Sequence, residues 1–566
     1  MADSGRSGTA GGMSNAAIYF HADSFDTSRE RLMGRHSAGE SFLRGFLRHA
    51  QVDELWLYDA LNVGAAKGEA MLNGVEPPRQ ARRWIGERSL RQLAQPGCLY
   101  YPAADIPAQA WRRQPLGDAS YSLCGVTHTT ASAGTMDILA NMAIAPVQPW
   151  DGLITTSRAV RTSVETQIQA MRDYLGSRLG TTRFPGPQIA TIPLGVNVED
   201  FARTDENRRT WRERLDIPQD AMVVLYVGRL HMAAKMNPAL MAMALEAAAK
   251  RTGKPIYWVV SGWGHTDAYT ETHHRWTTEL CPSVHYRPVD GRPADTRFSI
   301  WSVADIFISF SDNIQETFGL TPVEAMAAGL PSVVTDWDGY RDTVRHGLDG
   351  FRIRTFAPRP GLGGDLAYYH ANGWLAYERY LVSAAQMTSI DHVAATEALV
   401  DLIENPDLRA RMGAAAAEQA RQVFDWSRII PQYQAFWGDL AERRQAAAGQ
   451  ATSSVNPYRM DPFTLFESYP TEALTARTGV AASPGMTWEN AEARLSSGLA
   501  TIGDWPRPPL AEMHEAFDHV TGGCETVGAI LKRFPAHRRN FVERGLLWMA
   551  KFQVINLTPS GGAIVD

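Results

Sequence analysis

Ser311-Asp312-Asn313-Ile314-Gln315-Glu316-Thr317-Phe318-Gly319-Leu320-Thr321-Pro322-Val323-Glu324-Ala325-Met326-Ala327-Ala328-Gly329-Leu330-Pro331 runs from an apolar, β-branched stretch at Ile306–Ser309 into a helical pattern. In an open α/β sheet such a junction lies at the carboxyl edge of the strands, where ligands bind, and the helix start offers unpaired backbone N–H groups to an anion. Phosphate is the anion this geometry suits. Thr321 and Glu324, with Pro322 at the first helical position, also read as a capping box, which would account for Glu324 as a helix-end device. Capping does not account for Glu316. Two carboxylates with seven residues between them can hydrogen-bond two sets of hydroxyls on one ligand.

Upstream of this stretch, short β-branched or aromatic runs alternate with longer helical patterns, the signature of parallel α/β sheets. Strands are expected at Ala17–Phe20, 55–58, Ser122–Val126 and Gly152–Thr155, with an amphipathic helix at 41–49. A second alternation has strands at 223–228, 256–260, Ile306–Ser309 and Ser332–Thr335, and a helix at 238–251. Between the two, Ile192-Pro193-Leu194-Gly195-Val196-Asn197 with Phe201 is a Pro/Gly-punctuated connection of the kind that separates domains. The expected organisation is a disordered leader over 1–13, a Rossmann-like domain over 14–205, and a second over 206–445 with an insertion at about 357–390. A linker over 446–456 and a module over 457–566 complete the chain.

These residues resemble the retaining glycosyltransferases of family 4, whose fold is GT-B, two facing Rossmann-like domains with the site in the cleft. The family's E-x(7)-E element is matched by Glu316 and Glu324, followed by Ala-Met-Ala-Ala-Gly-Leu-Pro. The resemblance covers about residues 15–445. It implies that Glu316 contacts donor-sugar hydroxyls, Glu324 the ribose, and the main chain at Phe318, Gly319 and Leu320 the diphosphate. Val227-Gly228-Arg229-Leu230 resembles the phosphate-binding strand end, with Lys235 as the second cation, one residue later than the usual spacing, so that the loop must bulge. Two cations suit a nucleoside diphosphate leaving group, which gathers negative charge as it departs. Ser261-Gly262-Trp263-Gly264 resembles a glycine-marked strand end, and residues 287–289, ending at Val289, would lie near the base.

In the first domain, Gly34-Arg35-His36-Ser37-Ala38-Gly39-Glu40 takes the place of the family's glycine-rich loop, with Gly39 near the diphosphate. Asp151-Gly152-Leu153-Ile154-Thr155-Thr156-Ser157 resembles the domain's last strand. His128, at a strand end, would stand near the reacting sugar; a lone histidine is as often structural. Asp336-x-Asp338 has the form of a metal-binding DxD, but it follows the motif helix, and the resemblance implies no required metal or other cofactor. Asp23, the spare carboxylate near the first strand end, is not expected to serve as a base.

At 566 residues the chain exceeds one compact core, and a net charge of −6 argues against a dedicated nucleic-acid binder. Four cysteines without CxxC spacing indicate neither a disulfide framework nor a zinc module. No apolar run is long enough to span a membrane. A cytoplasmic enzyme fits these facts, peripheral at the inner face of the membrane if the first domain's arginines (Arg29, Arg31, Arg35, Arg44, Arg48, Arg79, Arg82, Arg83, Arg88 and Arg91) meet an anionic leaflet. The expected partners are a nucleotide-sugar donor and a glycan or lipid-linked acceptor, in surface polysaccharide or glycoconjugate synthesis. The rivals are a pyridoxal-phosphate-dependent GT-B phosphorylase, for which the chain is too short, and a silent sugar-nucleotide or DNA-binding scaffold.

The module over 457–566 reads as winged-helix-like, with helices over 526–534 and 538–552 whose Phe541, Gly545, Trp548, Met549 and Phe552 face a core. A strand at 553–557 and a Ser-Gly-Gly turn would form the wing. Its acidic residues outnumber its basic ones, so protein contact or self-association is expected rather than DNA binding.

Overall fold

The computed structural model describes residues 15–21, 34–77, 79–447, 449, 455–503 and 505–559. The leader at 1–13, Asp23, Arg29, Arg31 and most of the linker lie outside them, as does the side chain of Arg35. The chain divides into two units, Met1–Asn456 and Pro457–Asp566.

The first unit holds two parallel sheets. Strands β1 (Ala17–Phe20), β2 (Glu54–Asp59), β3 (Ala81–Gly86), β4 (Cys98–Tyr101), β5 (Ser122–Val126), β6 (Gly152–Thr155) and β7 (Gln188–Thr191) lie in the order β3-β2-β1-β4-β5-β6-β7. The second sheet, β8 (Met222–Val227), β9 (Ile256–Gly262), β10 (His285–Asp290), β11 (Ile306–Ser309), β12 (Ser332–Thr335) and β13 (Gly350–Ile353), has the order β10-β9-β8-β11-β12-β13. Helices cover both faces of such sheets, so the central strands are buried throughout, as β5, β6, β11 and β12 are. Strand order reverses between β1 and β4 and between β8 and β11, and a crevice opens at the carboxyl ends of each such pair.

The two domains are joined twice. Val196 N donates to Phe424 O (2.8 Å) and Trp426 N to Val196 O (3.2 Å), bringing the two crossing segments side by side. The helix Trp426–Ala446 then returns to the first domain. Trp426, Ile429, Ile430, Tyr433, Trp437 and Leu440 recur at helical spacing, and all are buried among Phe42, Phe46 and Tyr100. The reading of 206–445 as one domain is corrected here, because the apolar stripe of its last helix is part of the first domain's core.

The insertion is a helical hairpin, Gly364–Ala371 and Tyr377–Ala385, closed at its base by the antiparallel pair β14 (Thr355–Phe356) and β15 (Ser389–Ile390). Leu381 is buried with Ala131 of the first domain and Ala234 of the second, so the hairpin bridges the cleft.

The second unit packs helices Trp488–Leu495, Leu510–Thr521, Val527–Leu531 and Arg539–Lys551 around Met513, Phe517, Val542, Leu546 and Met549. The expected strand at 553–557 is β17 (Ile555–Thr558), but its partner is the distant β16 (Gly479–Ala482), not a following wing strand. The Ser-Gly-Gly residues 560–562 lie outside the described residues. Phe541, expected in the core, is instead held between the guanidinium groups of Arg538 and Arg544, 4.7 and 5.0 Å from its ring centre. Val542 and Leu546 take the core face.

Candidate functional site in the interdomain cleft

A cavity of about 470 Å³ opens at the β8/β11 reversal and is walled by both domains of the first unit. The loop after β8 supplies Gly228, Arg229 and Lys235, and the loop after β11 supplies Glu316 to Leu320. These loops are tied together: Asn313 Nδ2 donates to Ala233 O (2.8 Å) and Asn237 N to Asp312 Oδ1 (3.3 Å). The site is therefore held by main-chain and amide bonds before any ligand enters.

Lys235 and Glu316 meet directly, Nζ to Oε2 at 2.6 Å. The bulge expected from the late lysine is a tight turn, in which Lys235 N donates to His231 O (2.9 Å). Burial raises the Glu316 carboxyl, but the Lys235 ammonium and the N–H groups of Thr317 and Phe318 outweigh it and hold the group below the ordinary carboxylate range. Glu316 is thus kept ionised. Arg229 lines the same wall with no carboxylate partner among the described residues.

The helix Leu320–Ala327 starts after Gly319, at φ +87°. A side chain at Gly319 would place Cβ 2.1 Å from the Tyr340 ring, so both conformation and space require glycine. The capping box does not form. Gly319 is the N-cap, no side chain caps the helix, and Glu324 falls in the second turn facing the cavity. Burial pushes its carboxyl up to about 7 against the charges of Arg297 and Lys235. The first-turn N–H groups at Leu320 and Thr321, left without helical acceptors, face the same space.

Other expected positions divide. Gly262 packs against Gly228, where a Cβ would lie 2.0 Å from the Gly228 carbonyl oxygen, so it shapes the loop beneath the cavity. Phe318 sends its ring into the core beside Phe424 and leaves its main chain to the cavity. His128 lines the cavity with Nε2 donating to Pro102 O (3.0 Å). Val289 is a correction: its side chain is buried in the core with Val259 and Ile300, and Gly291, Arg297 and Phe298 line the cavity in its stead. Strand alternation puts Val289 inward, which spacing alone did not show. Gly39 is a second correction, since the expected loop at 34–40 belongs to the helix Gly34–His49. Glu40, Ser41 and Arg44 of that helix reach the cavity.

Residues just after β6 reach across to the Glu316 loop. Thr156 Oγ1 donates to Thr317 O (3.2 Å), Ser157 Oγ to Asp338 Oδ1 (3.0 Å), and Arg158 N to Asp342 Oδ2 (2.7 Å). Asp336 faces Arg352 (3.4 Å) and Arg341 (4.0 Å), so the Asp336/Asp338 pair is engaged by protein groups. Four of the first domain's arginines are paired: Arg44 with Asp200, Arg48 with Glu76, Arg82 with Glu69 and Arg83 with Glu54.

His231, His265 and Glu378 bring donor atoms within 4.8 Å of one another. His231 Nδ1 accepts the Ala234 N–H (3.0 Å), which puts the ring proton on Nε2, facing Glu378 Oε1 at 3.2 Å. An Nε2 that carries a proton has no lone pair for a cation, so the trio is a hydrogen-bonded clasp from the insertion to the loop after β8. Sequence reading missed this clasp, and Tyr377 with it, because the partners lie on segments far apart in the chain.

Residues 207–358 match the family described as Glycosyl transferases group 1. The chain is 28% identical over 289 residues to the D-inositol 3-phosphate glycosyltransferase of Streptomyces scabiei (strain 87.22), covering 48% of this chain and 55% of that protein. To D-inositol 3-phosphate glycosyltransferase 2 of Catenulispora acidiphila it is 34% identical over 180 residues, 31% of this chain and 40% of that one. The chain thus spans 55% and 40% of the lengths of these two relatives. Among solved structures, a glycosyltransferase from Rickettsia africae superposes with TM-score 0.48 at 12% identity over 76% of this chain and 98% of that one. Anabaena HepE with UDP and glucose gives 0.46 at 14%, over 76% and 100%. No helix among the described residues is long and apolar enough to cross a membrane. Residues 207–358 of the second domain thus match the group 1 glycosyltransferases, and the two parallel-sheet domains give the chain the GT-B fold.

Proposed function

We propose that the chain transfers a sugar from a nucleoside diphosphate sugar to a hydroxyl acceptor with retention of anomeric configuration. The observation that carries this reading is the Lys235–Glu316 pair set beside Arg229 and the helix start at Gly319, all in one interdomain cavity. The leaving diphosphate meets Arg229, Lys235 and the N–H groups at Leu320, so charge that grows in the transition state finds cations and dipoles already in place. Glu316, kept ionised, accepts from hydroxyls of the donor sugar; Glu324, titrating near neutrality, accepts from the ribose diol. His128, fixed by its bond to Pro102, stands at the first-domain wall beside the reacting centre. No step calls on a metal.

The acceptor is a glycan, a lipid-linked glycan or another hydroxyl compound, in surface polysaccharide or glycoconjugate synthesis at the cytoplasmic side of the membrane. The relatives' name makes inositol 3-phosphate one acceptor to include. The second unit is read as a protein-contact or self-association module of winged-helix type, and exposed Phe463, Leu465, Phe466 and Tyr469 ahead of its core support that role. Removing residues after 450 should change oligomeric state or acceptor use and leave nucleotide binding intact.

The deciding experiment incubates the protein with a panel of sugar nucleotides and follows nucleoside diphosphate release, then reads the product anomer by proton NMR. Release from none of them overturns the enzyme reading, and an inverted anomer overturns retention.

A further inference from the structure

The insertion hairpin carries three aromatic side chains that the fold leaves in solvent. Trp374 is 65% exposed, Tyr368 57% and Tyr369 43%. They form one cluster, with ring centres 5.6 Å apart for Tyr368 and Trp374, 5.9 Å for Tyr369 and Trp374, and 6.0 Å for the two tyrosines. A turn sets their places: Trp374 N donates to Tyr369 O (2.9 Å) and Asn372 N to Tyr368 O (3.1 Å). Beneath them, His370 stacks on Tyr380 at 4.3 Å and bonds Leu375 O at 3.0 Å. The rings are held in place while still open to a ligand.

Position and charge narrow what they meet. Tyr377, three residues after Trp374, lines the cavity together with Arg229, Lys235 and His128. Three residues span at most about 11 Å of chain, so Trp374 and the rings packed on it stand close to the cavity wall at Tyr377. Across residues 359–379 the charged residues are Arg359, Asp365, Glu378 and Arg379, so the hairpin carries no net charge and no basic cluster. An anionic lipid surface or a nucleic acid would find no basic cluster to hold it. A neutral ligand with flat C–H faces and a hydroxyl rim fits: its faces lie on the electron-rich rings and its rim meets Asp365 and Asn372.

Building on the glycosyl-transfer reading, we propose that Tyr368, Tyr369 and Trp374 form a binding platform for the acceptor, and that the acceptor is an oligosaccharide chain rather than a single small polyol. Its reacting end enters past Tyr377 while sugars behind it rest on the platform.

The test uses the full chain on an array of neutral oligosaccharides and monosaccharides, with UDP and GDP binding measured in parallel by calorimetry. Retention is expected on oligosaccharides over monosaccharides, falling at least about tenfold in the Tyr368→Ala/Trp374→Ala variant. Nucleotide binding should be unchanged, and Trp374→Phe should keep most of the retention. These side chains are exposed, so the variants should melt as the parent does. A blank array, or retention that the double variant keeps, overturns the platform. So does sedimentation with phosphatidylcholine vesicles that the double variant abolishes, which would make the cluster a membrane contact. Failure of nucleotide binding and of sugar-nucleotide turnover would instead overturn the glycosyl-transfer reading, whatever the array shows.

Discussion

Lys235 Nζ lies 2.6 Å from Glu316 Oε2, so the cation and the carboxylate that flank the proposed reacting centre are partners of each other. On the proposed reading Lys235 serves both the leaving phosphate and the ionised state of Glu316. The two roles can be separated by substitution.

Glu316→Gln should cut transfer by about a hundredfold or more and leave UDP or GDP binding nearly intact, because the lost charge faces the sugar. Lys235→Met should also weaken diphosphate binding. It leaves a mostly buried carboxylate without its cation, so the Glu316 carboxyl rises and the acidic limb of the transfer profile moves to higher pH. The protein should lose about 2–4 kcal/mol, and the double variant should be more stable than Lys235→Met alone. Turnover of Glu316→Gln equal to the parent's would remove Glu316 from the mechanism.

Gly319→Ala forces a side chain onto a residue at φ +87° and into the Tyr340 ring. A loss of at least about 2 kcal/mol in unfolding free energy, with weakened nucleoside diphosphate binding, is expected. A melt unchanged from the parent's would show that the helix start can shift.

Asp338 accepts a hydrogen bond from Ser157, and burial together with the Glu316 charge pushes its carboxyl up to about 7. A carboxyl raised on folding binds its proton more tightly in the native state. Its favourable contribution is present below the unfolded value and is lost as pH rises from about 4 through 7. Asp338→Asn has no such penalty, so its stability relative to the parent should grow between pH 4 and 8, by on the order of 2–4 kcal/mol. A gap that stays constant with pH, measured by unfolding midpoints, would contradict the assignment.

Chelation should leave transfer unchanged, since Arg229, Lys235 and the helix start meet the phosphates. Loss of activity in EDTA that magnesium or manganese restores would show that a metal shares that task.

Arg113 and Asp151, both fully buried, form a two-pronged ion pair at 2.5 and 2.8 Å, and Asp151 also accepts the N–H groups of Leu123 and Gln148. Asp151→Asn leaves the guanidinium buried and half-matched. Chemical denaturation should show a loss of about 3–5 kcal/mol in the first domain.

Much of this architecture is legible in the amino-acid sequence. The alternation of β-branched runs with helical patterns places most of the strands of both sheets, and the Pro/Gly-marked connection at 192–201 lies where the domains join. The motif from Ser311 to Pro331 singles out a strand-to-helix turn because its residues are neighbours in the chain, and local geometry follows from local sequence. Glycines 262 and 319 stand out through the family resemblance; the contacts that require them, with the Gly228 carbonyl oxygen and with the Tyr340 ring, come from the tertiary structure.

What the amino-acid order alone determined is most of the strands, their parallel arrangement and the pair Glu316 and Glu324. Tertiary structure decided which side chains meet. It joined Lys235 to Glu316 across 81 positions and returned the helix Trp426–Ala446 to the first domain's core. It clasped Glu378 to His231, turned Val289 inward and left Glu324 uncapped. The physical reason is range: periodicity and capping chemistry act over one or two turns of chain. An ion pair, a buried stripe or a cleft wall depends on how whole layers pack, and several packings share the same local pattern.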